Sequence, residues 1–336
     1  MAHAAHGRTL RRRTTDQEAG SSNLSGRILP QGEMCCRSAP PRHSKGELML
    51  YDQNPLSAHE RLADNRPLVG VELRPPRTGM SHRDSIDVWI DMYHAMERLA
   101  RRDTVVFLTD NAVGEAEEEN LGHLSANLSD QVDRGKVVPF LTTKHPLDYC
   151  HLYASRALAS GFGAITVLGG DTDVGTPRCV SHSSELRKSI RSRVPELRLG
   201  GWANPHRDLQ GQVRLLASPD YEIDFFLTQI VSHHRLEEVE RFVTATRKRG
   251  IEAPAVFGVF FYRSARPETL EWLSRYFPVP VEALSREFER GMSAVDVCVA
   301  TIRALRELGA ERVYVSNLDL HRVDQQYAEI LAAVDC

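Results

Sequence analysis

The chain has 336 residues, 41% of them hydrophobic, a formal net charge of −3 at pH 7 and a pI near 6.5. That is enough apolar material for one large α/β core or two medium ones. Lys and Arg are spread along the chain rather than gathered, which argues against a nucleic-acid partner, and no apolar run approaches the roughly 18 residues that span a bilayer.

In chain order, residues 1–64 are rich in Ser, Arg, Gly and Pro and poor in branched apolar residues, so they are expected to form a disordered tail. The tail carries a basic cluster with no apolar stretch behind it, unlike a secretory signal, and its Arg and Ser content has some transit-peptide character. Met34 and Met49 are alternative starts. The cysteines (Cys35, Cys36, Cys150, Cys179, Cys298, Cys336) lack metal-ligand spacing and fit a reduced, cytoplasmic protein.

From Pro67 onward, short β-branched runs alternate with longer amphipathic stretches. Strands are predicted over 68–73, 104–110, 136–142, 164–170, 197–203, 223–230, 255–261 and 312–318. Helices are predicted over 85–102, 115–127, 146–160, 183–194, 208–217, 236–249, 267–276, 281–290, 294–308 and 323–333. Pro146 and Pro267 suit first turns, and Gly161, Gly250 and Gly309 suit helix ends. Eight β-α units predict a (β/α)8 TIM barrel over 65–336, preceded by the disordered tail. The rival doubly wound sheet usually has a Gly-rich turn after its first strand, and "ELRPPRTG" is not one.

Function in a barrel collects at the C-terminal strand ends. The polar residues predicted there are Glu72, Thr109, Asp110, Thr142, Thr143, Asp171, Trp202, Asn204, His206, Gln229, Tyr262, Ser316 and Asn317. Alternation in "VELRPPRT" (71–78) puts Val71 and Leu73 on one side of the strand and Glu72 on the other, facing inward, where burial should raise its pKa. Glu72, Asp110 and Asp171 at one mouth suggest carboxylates with different protonation states, against the plainer reading that they pair with Arg74 or Arg77. In "VLGGD" (167–171), Gly169 and Gly170 would let a flat ligand lie against the backbone. His233 and His234 are adjacent and expected to diverge, so no metal site is expected.

"VELRPPRT", "VLGGD", "FFLTQ" (225–229) and "VYVSNL" (313–318), in this order and spacing, resemble the methylenetetrahydrofolate reductase family over residues 68 to about 333. The resemblance implies a barrel enzyme of one-carbon metabolism. It would reduce 5,10-methylenetetrahydrofolate to 5-methyltetrahydrofolate, with hydride from NADH or NADPH passing through FAD. Matched by position, Glu72 would protonate the folate N10 and Asp171 would favour the cationic iminium. Gln229 would bond the folate, and Glu268 falls near a substrate-gripping glutamine. Thr109, Gly169, Gly170, Trp202 and His206 would lie beside the flavin.

The departures concern that flavin. Phe140 stands where the family has His, Gly169 stands for its Arg, and the stretch 206–229 is short and lacks the family's phosphate-binding pattern. Three arrangements stay open: weak FAD binding, another flavin geometry, or direct hydride transfer. The alternatives in function are a non-catalytic folate- or flavin-binding subunit, or a related C1-carrier enzyme of a demethylation pathway. The expected partner is a folate, with no nucleic acid and no membrane, and a homo-oligomer is left open. The chain stops soon after the last predicted helix, so no regulatory domain is expected after the barrel.

Overall fold

A computed structural model describes residues 56–111, 116–170 and 176–335. Its strands are β1 (Leu68–Leu73), β2 (Val106–Leu108), β3 (Val137–Thr142) and β4 (Ala164–Leu168), then β5 (Arg198–Ala203), β6 (Phe225–Val231), β7 (Ala255–Phe260) and β8 (Arg312–Ser316). Each pairs in parallel with the next, and β8 closes on β1, which is the (β/α)8 barrel expected.

The helices are α1 (Ala58–Ala63), α2 (His82–Ala100), α3 (Asn120–Asn127), α4 (Leu147–Ala159), α5 (Ser183–Arg193) and α6 (Leu209–Leu216). They continue with α7 (Leu236–Lys248), α8 (Pro267–Leu273), α9 (Val281–Glu289), α10 (Ala294–Glu307) and α11 (Val323–Val334).

Strand alternation splits the apolar residues into two layers. Val69, Val71, Leu108, Leu141 and Val315 face the helices in one cluster. Leu68, Phe107, Phe140, Phe225 and Tyr314 fill the barrel interior in another. Gly200 makes room for this filling, because a Cβ there would stand 2.5 Å from the Phe225 ring.

Two segments differ from the sequence expectation. Helix α1 lies in the stretch assigned to the tail, so regular structure starts ahead of position 65. A Ser57–Glu60 capping box starts it, and buried Ala58 and Leu62 join the interior cluster. Tail-like composition concealed an anchor of two side chains. After β2, the helix predicted from 115 begins only at Asn120, with the Glu119 side chain accepting from the Gly122 N–H as its cap. Residues 116–118 instead run antiparallel to the chain leaving β1, through Thr78 N–H to Ala116 O and Glu118 N–H to Pro76 O. The prolines of "RPPRT" end the strand, and this ribbon carries the chain over the rim.

Candidate functional site at the barrel mouth

Glu72 is the next-to-last residue of β1, level with Ser316 of β8 across the seam that closes the barrel. The Ser316 hydroxyl donates to Glu72 Oε1 at 2.5 Å. Burial pushes the Glu72 carboxyl up to about 7, opposed by the Ser316 hydrogen bond and by Arg74, and reinforced by the Glu117 charge. The residue keeps some solvent access although its carboxyl is enclosed by protein. It is the acid group itself that loses hydration. Burial thus favours the protonated form of the Glu72 carboxyl.

The ribbon places Glu117 beside it, a residue the sequence reading passed over as part of a helix. In an extended segment neighbouring side chains point opposite ways. Glu118 turns outward to accept from Ser85 Oγ and Trp89 Nε1, at 2.7 and 2.9 Å. Glu117 turns inward, with no side-chain exposure, to Arg74 Nε at 2.8 Å and Thr109 Oγ1 at 2.8 Å. Thr109, expected to touch a flavin, thus donates its hydroxyl hydrogen bond to Glu117.

Asp110 is likewise committed. It accepts from the Thr142 N–H at 2.6 Å, the Thr142 hydroxyl at 2.9 Å and the Asn111 amide at 2.6 Å, and faces His145 Nε2 at 2.9 Å. Burial would lower the His145 pKa, but the Asp110 carboxylate and Glu119 outweigh it and raise it. Asp110 is thus the anchor of a rim histidine that no local motif singles out, since the pair joins loops 35 positions apart.

The glycine pair does not offer a bare surface. A Cβ at Gly169 would meet the Arg178 guanidinium at 3.1 Å, and one at Gly170, where φ is +70°, would meet Lys144 Cγ at 2.8 Å. Arg178 also donates to Gly170 O at 2.6 Å. Two cationic side chains therefore lie where a flat ligand was expected. Asp171 lies outside the described residues.

On the far side, Trp202 of β5 packs against the interior cluster and is partly exposed. A register shift in β6 between Leu227 and Ile230 brings Gln229 to the rim. Its amide accepts from the Ile230 N–H at 2.9 Å and donates to Tyr276 O at 3.2 Å. His206 points both ring nitrogens at protein oxygens, Nδ1 at Glu238 (2.5 Å) and Nε2 at Ile230 O (2.9 Å), so it braces the loop after β5. Glu268 is exposed in the first turn of α8.

The flavin contacts expected from sequence do not fit this arrangement. Thr109 and His206 spend their polar atoms on protein partners, and Arg178 and Lys144 lie over the glycines. Among the described residues a concavity of about 760 Å³ lies elsewhere. It opens at the N-terminal strand ends beside Arg198 and Asp224, whose charges already pair at 3.4 Å. Barrel chemistry belongs to the opposite face.

No family model matches the chain, and neither does any curated protein. Among solved structures, it is similar to an uncharacterized protein from Clostridium thermocellum that binds two copies of 5-methyl-5,6,7,8-tetrahydrofolic acid. The identity is 16%, the TM-score 0.61, and the match covers 83% of this chain and 98% of that one. It is also similar to tryptophan synthase from M. tuberculosis, at 12% identity and a TM-score of 0.45, covering 83% of this chain and 100% of that one. The carboxyl transferase domain of Rhizobium etli pyruvate carboxylase matches at 10% identity and a TM-score of 0.45, with 82% and 49% covered. The first of these likenesses shows the barrel fold. No helix among the described residues is long and apolar enough to cross a membrane.

Proposed function

We propose that the barrel mouth binds a reduced folate, with the protonated Glu72 carboxyl as hydrogen donor to the pterin or to N10. The observation that carries this reading is the enclosed Glu72 acid, pushed up to about 7 and oriented by Ser316. A carboxylic acid kept neutral near pH 7 can donate where an ordinary glutamate accepts. Trp202 supplies an aromatic face, and Gln229 an amide that can trade its protein bonds for ligand bonds. The folate held by the C. thermocellum barrel supports the ligand class.

The second reading is turnover of that folate, and the Glu72 acid favours it. Proton transfer from Glu72 to N10 of 5,10-methylenetetrahydrofolate breaks the N10–methylene bond. The N5 iminium then accepts hydride at its methylene carbon from NADH or NADPH, giving 5-methyltetrahydrofolate and the oxidised nicotinamide. Asp171 is assigned the stabilisation of the cation. No step is routed through FAD. Glu268, exposed on α8, is assigned to the distal part of the ligand.

The test is calorimetric titration of the full chain with 5-methyltetrahydrofolate, together with NADH and NADPH oxidation driven by 5,10-methylenetetrahydrofolate. Binding without oxidation supports the first reading, and binding with Glu72-dependent oxidation supports the second. Absence of folate binding overturns both.

A further inference from the structure

At the C-terminal end of β6 the chain enters a 3-10 turn, His233–Arg235, capped by Ser232. The adjacent histidines, expected to diverge, instead lie with ring centroids 3.9 Å apart. Both reach Glu287 of α9: His233 Nε2 stands 2.8 Å from Oε1, and His234 Nε2 stands 3.1 Å from Oε2. The second approach is poorly aligned, so the buried His234 Nε2 and Glu287 Oε2 atoms have no hydrogen-bond partner.

Thr301 of α10 decides the tautomer. Its hydroxyl donates to Val297 O at 3.3 Å, so its oxygen accepts from His233 Nδ1 at 2.8 Å. A neutral His233 then points the Nε2 lone pair at a carboxylate oxygen, which a second proton or a cation must relieve.

We propose that His233 Nε2, His234 Nε2 and a carboxylate oxygen of Glu287 bind a divalent first-row transition ion, Zn²⁺ in the first instance. The donor atoms all lie within 4.8 Å of one another. Each imidazole Nε2 faces a different oxygen of Glu287, at 2.8 and 3.1 Å, so either oxygen can complete the ligand set on an ion with bonds of about 2.1 Å. Two imidazoles and one carboxylate leave coordination positions open to water or to a substrate oxygen. Thr301 acts as the positioning residue that fixes the tautomer of His233. This site is independent of the folate reading.

The test strips the full chain with a chelator, then titrates Zn²⁺ in competition with a chromophoric chelator. One tight equivalent is expected, weakened about 100-fold in Glu287→Gln and His234→Ala and about 10-fold in Thr301→Val. No tight equivalent in the wild type, or equal affinity in folded Glu287→Gln and His234→Ala variants, overturns the proposal. Should those variants fail to fold, the Co²⁺ spectrum of the wild type decides. Nitrogen and oxygen ligation gives d–d bands without thiolate charge transfer. Thiolate bands, or no d–d bands, overturn it.

Discussion

Ser316 and Glu72 meet across the one strand pairing that closes the barrel, hydroxyl to carboxyl, between residues 244 positions apart. The hydrogen bond ties the acid's position to barrel closure. The surrounding protein raises its pKa to about 7 in spite of that bond. Orientation and protonation thus come from different neighbours.

The raised acid predicts a pH-dependent stability. Unfolded, the carboxyl loses its proton near 4.5; folded, it holds the proton to about 7. The folded state binds more protons between these values, so stability falls as pH rises through the window, by up to about 3 kcal/mol. Glu72→Gln should remove this contribution, raising stability at pH 8 while changing little at pH 4. Urea melts at both pH values check it; equal stability changes at the two would contradict the assignment.

Glu117 is predicted to matter for the rim as much as any residue of the mouth. Glu117→Ala removes the carboxylate joining Arg74 and Thr109 and should cost about 3 kcal/mol. It should also lower the Glu72 pKa, because the Glu117 charge raises it. Denaturant melts, with NMR titration of the Glu72 carboxyl, measure both.

His145 should titrate above the ordinary 6.5 because Asp110 favours its charged form against burial. The stability gained from that pair is complete below 6.5 and fades as pH rises through the folded pKa. Asp110→Asn should bring the His145 pKa down, observed through its ring carbon-bound protons. An unmoved titration would show that Asp110 does not hold the imidazolium.

Much of the fold was readable because alternation at β1 and β8 and the helix-end glycines are local signals. Glu72 was readable for the same reason, since strand phase alone turns it inward. Glu117 was not, because "AEEEN" has helix composition and only the pairing with "PPRT" draws it into an extended ribbon. His145 and the His233–His234–Glu287 group depend on contacts between separate loops and helices, which no spacing announces. The "GGD" segment misled in another way: the glycines are there, but Arg178 and Lys144 approach them from elsewhere in the chain.

The central claim is that a protonated Glu72 holds a reduced folate at the mouth. It is tested most directly by titrating wild type and Glu72→Ala with 5-methyltetrahydrofolate between pH 6 and pH 9. The account predicts saturable binding that weakens as pH rises through about 7 in the wild type, and that is at least about tenfold weaker and flat with pH in the variant. Equal binding by the two proteins across that range, or none by the wild type at pH 6, would contradict it.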